Sequence, residues 1–211
     1  MHFTSAELGG LIGSYFWPFV RIAALVTAAP MFSSNFVPAR ARLVFALGLT
    51  ILIAPTVSQV PQVSALSGTG VLIILQQALI GIAMGFLLHL VFSAFIVGAK
   101  VMAMQMGLGF ASMIDPQTGS QAPVLSMFYV LMVTLLFLVM DGHLALIGLV
   151  ADSFNPLPIG PQGLAVEGYW QVAQWGSRMF EGAVLIALPA VAALFTVKMA
   201  LGVMSRAAPQ L

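Results

Sequence analysis

Asp141, His143 and Asp152 carry the side chains of this sequence best suited to holding a metal or moving a proton. A zinc site asks for three or four ligands in a tetrahedral set, and a hydrolytic site asks for a nucleophile with an orienting base. Neither a further ligand at a recognisable spacing nor such a nucleophile accompanies them, so helix capping and interface hydrogen bonding describe them better. His89 lies in a long apolar stretch, where an ionisable group can relay protons. No second histidine, carboxylate or cysteine stands one turn away, and it reads as a hydrogen-bonded interface histidine. The glycine-rich places lack the GxxxxGKS or GxxxxGKT arrangement that cradles phosphates. With no cysteine in 211 residues, disulfide frameworks and thiolate metal sites are excluded. The expectation is a chain that is not an enzyme and uses no cofactor or metal.

The elements that must position these residues are set by the solvent they fold in. Hydrophobic residues make up 61% of the chain and charged residues 6%, against roughly 25% charge in a soluble domain. No Lys, Arg, Asp or Glu occurs between Arg42 and Lys100. An uncharged apolar run of this kind predicts membrane-spanning helices in contact with lipid. A net charge of +1 gives no support to nucleic-acid binding. The opening residues, MHFTSAELGG, lack the basic region of a cleaved signal peptide.

Five apolar segments are expected. The first runs from about Leu11 to Phe32 and contains Trp17, Pro18 and Arg21. The connector SSNFVPARAR leads to the second, Leu43 to Val57. The third and longest, Val71 to Ala99, is closed by Lys100. A fourth, Val124 to Met140, is interrupted by Asp141, Gly142 and His143 before a short apolar piece, Leu144 to Val150. The loop DSFNPLPIGPQG has the composition of a surface turn. A last helix is expected over Ala183 to Met204, kinked at Pro189. Arg40, Arg42, Lys198 and Arg206 fall on one side of a five-span arrangement, which by the positive-inside rule puts the C-terminus in the cytoplasm. Arg21 is costly against lipid. Burial against another subunit, snorkelling, or a first hairpin that does not span would each relieve that cost.

Two patterns stand out within these segments. Gln77, Gly81, Gly85, His89 and Ser93 recur every four residues, a slowly drifting stripe of small and polar groups on a bulky helix. Gly81 and Gly85 permit close backbone approach. The stripe suits packing inside one bundle or contact with a different subunit. The second pattern is QMGLGFASMIDPQTGSQAPVLS, Gln105 to Ser126. Met102, Met104 and Met106 are adaptable thioethers, Gly107 and Gly109 allow a tight bend, and Asp115, Pro116 and Gly119 suit a turn. Leu108, Phe110, Met113 and Ile114 then form an apolar finger, either a gating or partner-contact loop or a connector that covers a helix end.

In combination, PMFSSNFVPARARLVFALGLT, QQALIGIAMGF, QMGLGFASMIDPQTGSQAPVLS, LLFLVMDGHLALIGLVADSFNPLPIG and the terminal SRAAPQL resemble the FliR/SctT family of the bacterial type III secretion export apparatus. Their order and spacing cover nearly the whole chain. The resemblance implies an all-α integral membrane protein of helical hairpins, a single domain over 1–211 that assembles in a helical spiral with homologous partner subunits. It implies one copy of this chain with several of FliP and FliQ, completed by FlhA and FlhB, in the flagellar basal body at the bacterial inner membrane. Much of that gate stands toward the periplasm. Unfolded proteins are the secreted substrates.

The same resemblance implies a plug loop over 105–122 that occludes the channel. It falls on Met106, Gly107, Leu108, Gly109, Phe110, Met113, Ile114, Asp115 and Pro116. Gln77, Gly81, Gly85 and His89 become a packing surface toward neighbouring subunits. Chains of the family usually continue past SRAAPQL into FliQ-like helices, so an incomplete C-terminal region is expected here. The equivalent subunit of a virulence injectisome is the alternative. A small secondary transporter is less favoured, because no internal repeat appears and the acidic residues sit mainly at connectors.

Overall fold

A computed structural model describes residues 5–33, 37–57, 60–61, 63–65, 67–108 and 124–207. Within them every regular element is helical: α1 (Ser5–Ala28), α2 (Pro30–Ser33), α3 (Ala39–Ile53) with a 3-10 turn at Ala54–Thr56, α4 (Gly68–Gln105), α5 (Val124–Val139), α6 (Gly142–Asp152) and α7 (Val166–Ala207). Three helical stretches among the described residues are long and apolar enough to cross a membrane: Ala39–Thr56, Gly68–Gln105 and Val166–Ala207. The broken pair α5 and α6 makes a fourth if it counts as one span. The protein is an all-α membrane protein.

Several boundaries differ from the sequence expectation, each for a local reason. Helix α4 does not close at Lys100. Val101 to Gln105 are mostly strong helix formers, and the helix continues until Gly107. It therefore holds 38 residues and is about 57 Å long, well beyond the roughly 30 Å of a hydrocarbon core. Helix α7 begins at Val166 and not at Ala183. Its first turns, with Glu167, Gln171, Gln174, Arg178 and Glu181, are polar but contain no proline, so an apolar criterion ended where the helix did not. Glu167 in the first turn and Arg206 in the last both favour the helix dipole. Pro18 and Pro189 both lie inside continuous helices.

The chain forms two compact units. The first comprises Met1–His89 and Phe137–Trp175. Its core gathers Trp17, Ile22, Leu25 and Val26 of α1, Ala46 and Ile53 of α3, Ile73 of α4, and Val150, Phe154 and Ile159. Burying each larger aliphatic side chain contributes about 1.5–3 kcal/mol. Phe16 meets Trp17 edge to face, and Phe32 of α2 tilts onto Phe45 of α3. A cavity of about 230 Å³ opens between Ile22, Val26, Phe45, Leu49, Leu146 and Val150, and apart from His143 its wall is apolar. The second unit comprises Leu90–Leu136 and Gly176–Leu211. Ala99, Met102 and Ala187 form its buried apolar cluster, with Leu125, Tyr129, Ile186, Ala190 and Val191 around them.

Helix α4 contributes to both units by presenting small residues. In the first, a Cβ added at Gly81 would collide with the Arg21 carbonyl and lie 2.8 Å from Ala24 Cβ, and one at Gly85 would lie 2.5 Å from Ala28 Cβ. In the second, a Cβ at Gly98 would lie 3.0 Å from the Ala183 carbonyl, and Ala94 lies against Gly182. The backbones of α1 and α7 approach α4 this closely only where side chains are absent or minimal.

Candidate functional site at the end of helix 4

The sequence places its apolar, glycine-hinged finger at the end of α4, and that end has a defined architecture. An α-helix leaves its last four carbonyls without intrahelical partners. Here Met106 N–H donates to Met102 O at 3.0 Å, Leu108 N–H reaches back to Ala103 O at 3.0 Å, and Gly107 N–H donates to Met104 O at 3.1 Å. The last two bonds are the paired closure of a Schellman motif, which needs a left-handed residue between them. Gly107 supplies it with φ +79°. A side chain there would pay the steric cost of the left-handed region, about 1–2 kcal/mol. The fourth carbonyl, that of Gln105, accepts from Lys198 Nζ of α7 at 2.6 Å. Met104, Met106 and Leu108 are exposed at this end, whereas Met102 is buried and accepts a contact from Tyr129 Oη at 3.8 Å. Gly109, Phe110, Met113, Ile114, Asp115 and Pro116 lie outside the described residues.

The four-residue stripe of α4 divides. Gln77, Gly81 and Gly85 are buried, and they face α1 of the same chain. His89 is exposed. A spacing of four overshoots the 3.6-residue turn by about 40° per step, so a face that is centred on Gly81 has rotated outward by His89. The close packing on α7 resumes one residue out of step, at Ala94 and Gly98.

Gln77 belongs to a cluster whose membership the sequence did not disclose. Arg21, fully buried, donates from Nε to Gln77 Oε1 at 2.8 Å and from Nη1 to the Ser153 carbonyl and hydroxyl at 3.1 and 3.0 Å. Its Nη2 donates to Leu157 O at 2.7 Å, and its guanidinium lies 4.1 Å from the centre of the Phe154 ring. Burying a guanidinium costs several kcal/mol. Hydrogen bonds to a charged group, at about 1.5–3 kcal/mol each, and the ring contact offset it. The relief comes from within the chain, and none of the three sequence explanations is needed. None of these acceptors is a carboxylate, so among the described residues the positive charge is met by dipoles and the ring face. The signal available in sequence was the loop DSFNPLPIG, whose exposed carbonyls could serve a lone cation.

The residues considered for metal or acid-base work are separated in role. Asp141, exposed and with φ 55°, sits before α6 in the left-handed region. Its side chain makes no capping bond. Its carbonyl accepts from Leu144 and Ala145 N–H. His143 borders the apolar cavity, and Asp152 is exposed at the end of α6.

Comparison with known proteins agrees over the same span. The family model of the bacterial export proteins, family 1, matches residues 12–211. The chain is similar to the flagellar biosynthetic protein FliR of Escherichia coli (strain K12), with 38% identity over 208 residues, 99% of this chain and 79% of that one. FliR of Pectobacterium carotovorum subsp. carotovorum is 36% identical over 209 residues, 99% and 80% of the two chains. FliR of Bacillus subtilis (strain 168) is 30% identical over 205 residues, 95% and 78%.

Proposed function

The chain belongs to the bacterial export proteins of family 1 and is a subunit of the flagellar protein export apparatus, and from that premise we propose that it helps to build the export channel and closes it when idle. The observation that carries the closing role is the end of α4. A Schellman stop at Gly107 ends the 38-residue α4 within QMGLGF, the start of the apolar, glycine-rich run of the sequence.

In this reading the segment over 105–122 is a plug. Phe110, Met113 and Ile114 supply the apolar contact, Gly107 and Gly109 the bend, and Asp115 and Pro116 the turn. An unfolded substrate displaces it, with energy supplied from outside this chain by the proton motive force and an associated ATPase. The chain itself works without catalysis. Its partners are other components of the export apparatus, and the assignment extends to FliP and FliQ homologues as immediate neighbours, with FlhA and FlhB homologues completing the assembly. The place is the inner membrane, with much of the gate toward the periplasm. His89, exposed beyond the α1 contact, is the member of the stripe still available to a neighbouring subunit.

The test is to replace Phe110, Met113 and Ile114 together with alanine. The expected result is a complex that assembles normally and leaks ions or small solutes when no substrate is present. Unchanged conductance in a fully assembled variant refutes the plug.

A further inference from the structure

Three of the four terminal carbonyls of α4 are satisfied by its own next turn, and only the fourth is answered from elsewhere in the chain. Gln105 O accepts from Lys198 Nζ, which also lies 3.4 Å from Gln105 Oε1. Both residues belong to the same compact unit. A cation at this place meets the negative end of the helix dipole as well as a lone pair. No basic residue occupies the last turn of α4. Lys100, on α4 itself, is the wrong cation for the task, because helical side chains lean toward the N-terminus and carry its ammonium away from the last carbonyls.

Lys198 is also out of place by composition. From Gly182 to Met204 it is the one charged residue, in a stretch of α7 whose apolar side chains are largely exposed. A lysine inside such a stretch is disfavoured by about 2.5–3.5 kcal/mol at a bilayer centre. Serving the end of a second helix gives it a reason to be there.

We propose that Lys198 is a positioning residue for the gate: it pins the C-terminal end of α4 to α7 and so fixes the point and direction from which the chain departs at Leu108. The Schellman turn sets the local path of the backbone, and Lys198 sets where that turn stands against α7. This rests on the reading of 105–122 as the plug. A closed gate needs both, since a correctly shaped turn on an unanchored helix end delivers the plug residues to a spread of positions.

The experiment uses the assembled export complex in vesicles, without substrate, and reads small-solute leak. Four variants are compared at equal recovery of the partner chains: Lys198→Met, Lys198→Gln, Lys198→Arg and the Phe110, Met113, Ile114 triple alanine. Loss of a cation from an exposed helix C-terminus predicts a roughly two- to fivefold rise in leak for Lys198→Met, with Lys198→Arg near wild type and the triple variant leakiest. Should Lys198→Met lower recovery, Lys198→Gln, which keeps a donor without the charge, carries the same expectation. A leaky triple variant beside tight Lys198→Met and Lys198→Gln overturns the positioning role and leaves the plug standing. If Lys198→Arg leaks as much as Lys198→Met, the cation is not what matters and the proposal fails. If nothing leaks, the plug reading falls and the positioning role falls with it.

Discussion

Arg21 Nε and Gln77 Oε1 lie 2.8 Å apart, both fully buried, and join the second half of α1 to the first half of α4. The amide oxygen must face the guanidinium, because Nε–H can only donate. That leaves Gln77 Nε2 buried without a partner among the described residues. The pair is thus held by the arginine's need, and the glutamine accepts one unmet donor to serve it.

Removing the guanidinium has a large expected effect. Arg21→Ala strands Gln77 Oε1 and the Leu157 carbonyl and leaves the Ser153 carbonyl only its bond from Leu157 N–H, and each buried acceptor left without a partner costs about 1–3 kcal/mol. Arg21→Lys keeps the charge but cannot reach acceptors on three sides in one plane, so it recovers only part. Thermal denaturation in detergent, followed by helicity, ranks wild type above lysine above alanine. Equal midpoints for all three contradict the cluster.

Close packing at Gly81 and Gly85 gives a second expectation. Gly81→Leu drives a branched side chain into the Arg21 carbonyl and Ala24, and overpacking of this kind costs about 1–3 kcal/mol or more. At Gly48, where an added Cβ meets nothing within 4 Å, leucine is expected to be tolerated. Comparing the yield of folded protein for the two variants separates a packing requirement from a general intolerance of bulk.

The left-handed turn at Gly107 can be tested by conformational preference alone. Gly107→Val forces a β-branched residue to φ +79°, at roughly 1–2 kcal/mol, and Gly107→Asn places there a residue that tolerates this region. Flagellar protein secretion and substrate-free leak should be disturbed by valine and nearly unchanged by asparagine. The same response to both would show that size, not backbone conformation, is what the position restricts.

The cavity beside α3 offers a stabilising change. Val26→Ile adds one methylene to its wall without altering branching, and a buried methylene is worth about 0.8 kcal/mol. A higher denaturation midpoint is expected. A lower one would mean the space is not available to a side chain from α1.

His89→Ala should leave the denaturation midpoint within about 0.5 kcal/mol of wild type, as for an exposed position, while reducing recovery of partner chains on co-purification. Unaltered recovery argues that this side chain makes no subunit contact.

Sequence patterning found the long apolar helices and the breaks between them, because uncharged runs and clusters of proline and glycine act over neighbouring residues. It extended α4 too little and α7 far too little, since Lys100 and the polar residues from Glu167 to Glu181 are compatible with helix but not with a hydrophobic criterion. It recognised small residues along α4 but carried a spacing of four past the point where the 3.6-residue turn leaves it. It could not join Arg21 to Gln77 or Ser153, which are 56 and 132 residues away, and it read Lys198 as a marker of topology when its partner is a carbonyl on another helix. Pairings of that kind depend on the tertiary fold, and no local period records them.

The Arg21 cluster also sets a clock. Its acceptor at Leu157 is 136 residues downstream, and at 5–20 residues per second the ribosome needs roughly 7–27 s to deliver it. Through that interval the guanidinium must be kept wet, held at the headgroups or sheltered by another protein, because the hydrocarbon core of a bilayer offers it no acceptors. Helix α1 is therefore made early and can be seated only late, which makes the whole chain dependent on whatever holds its first helix during synthesis.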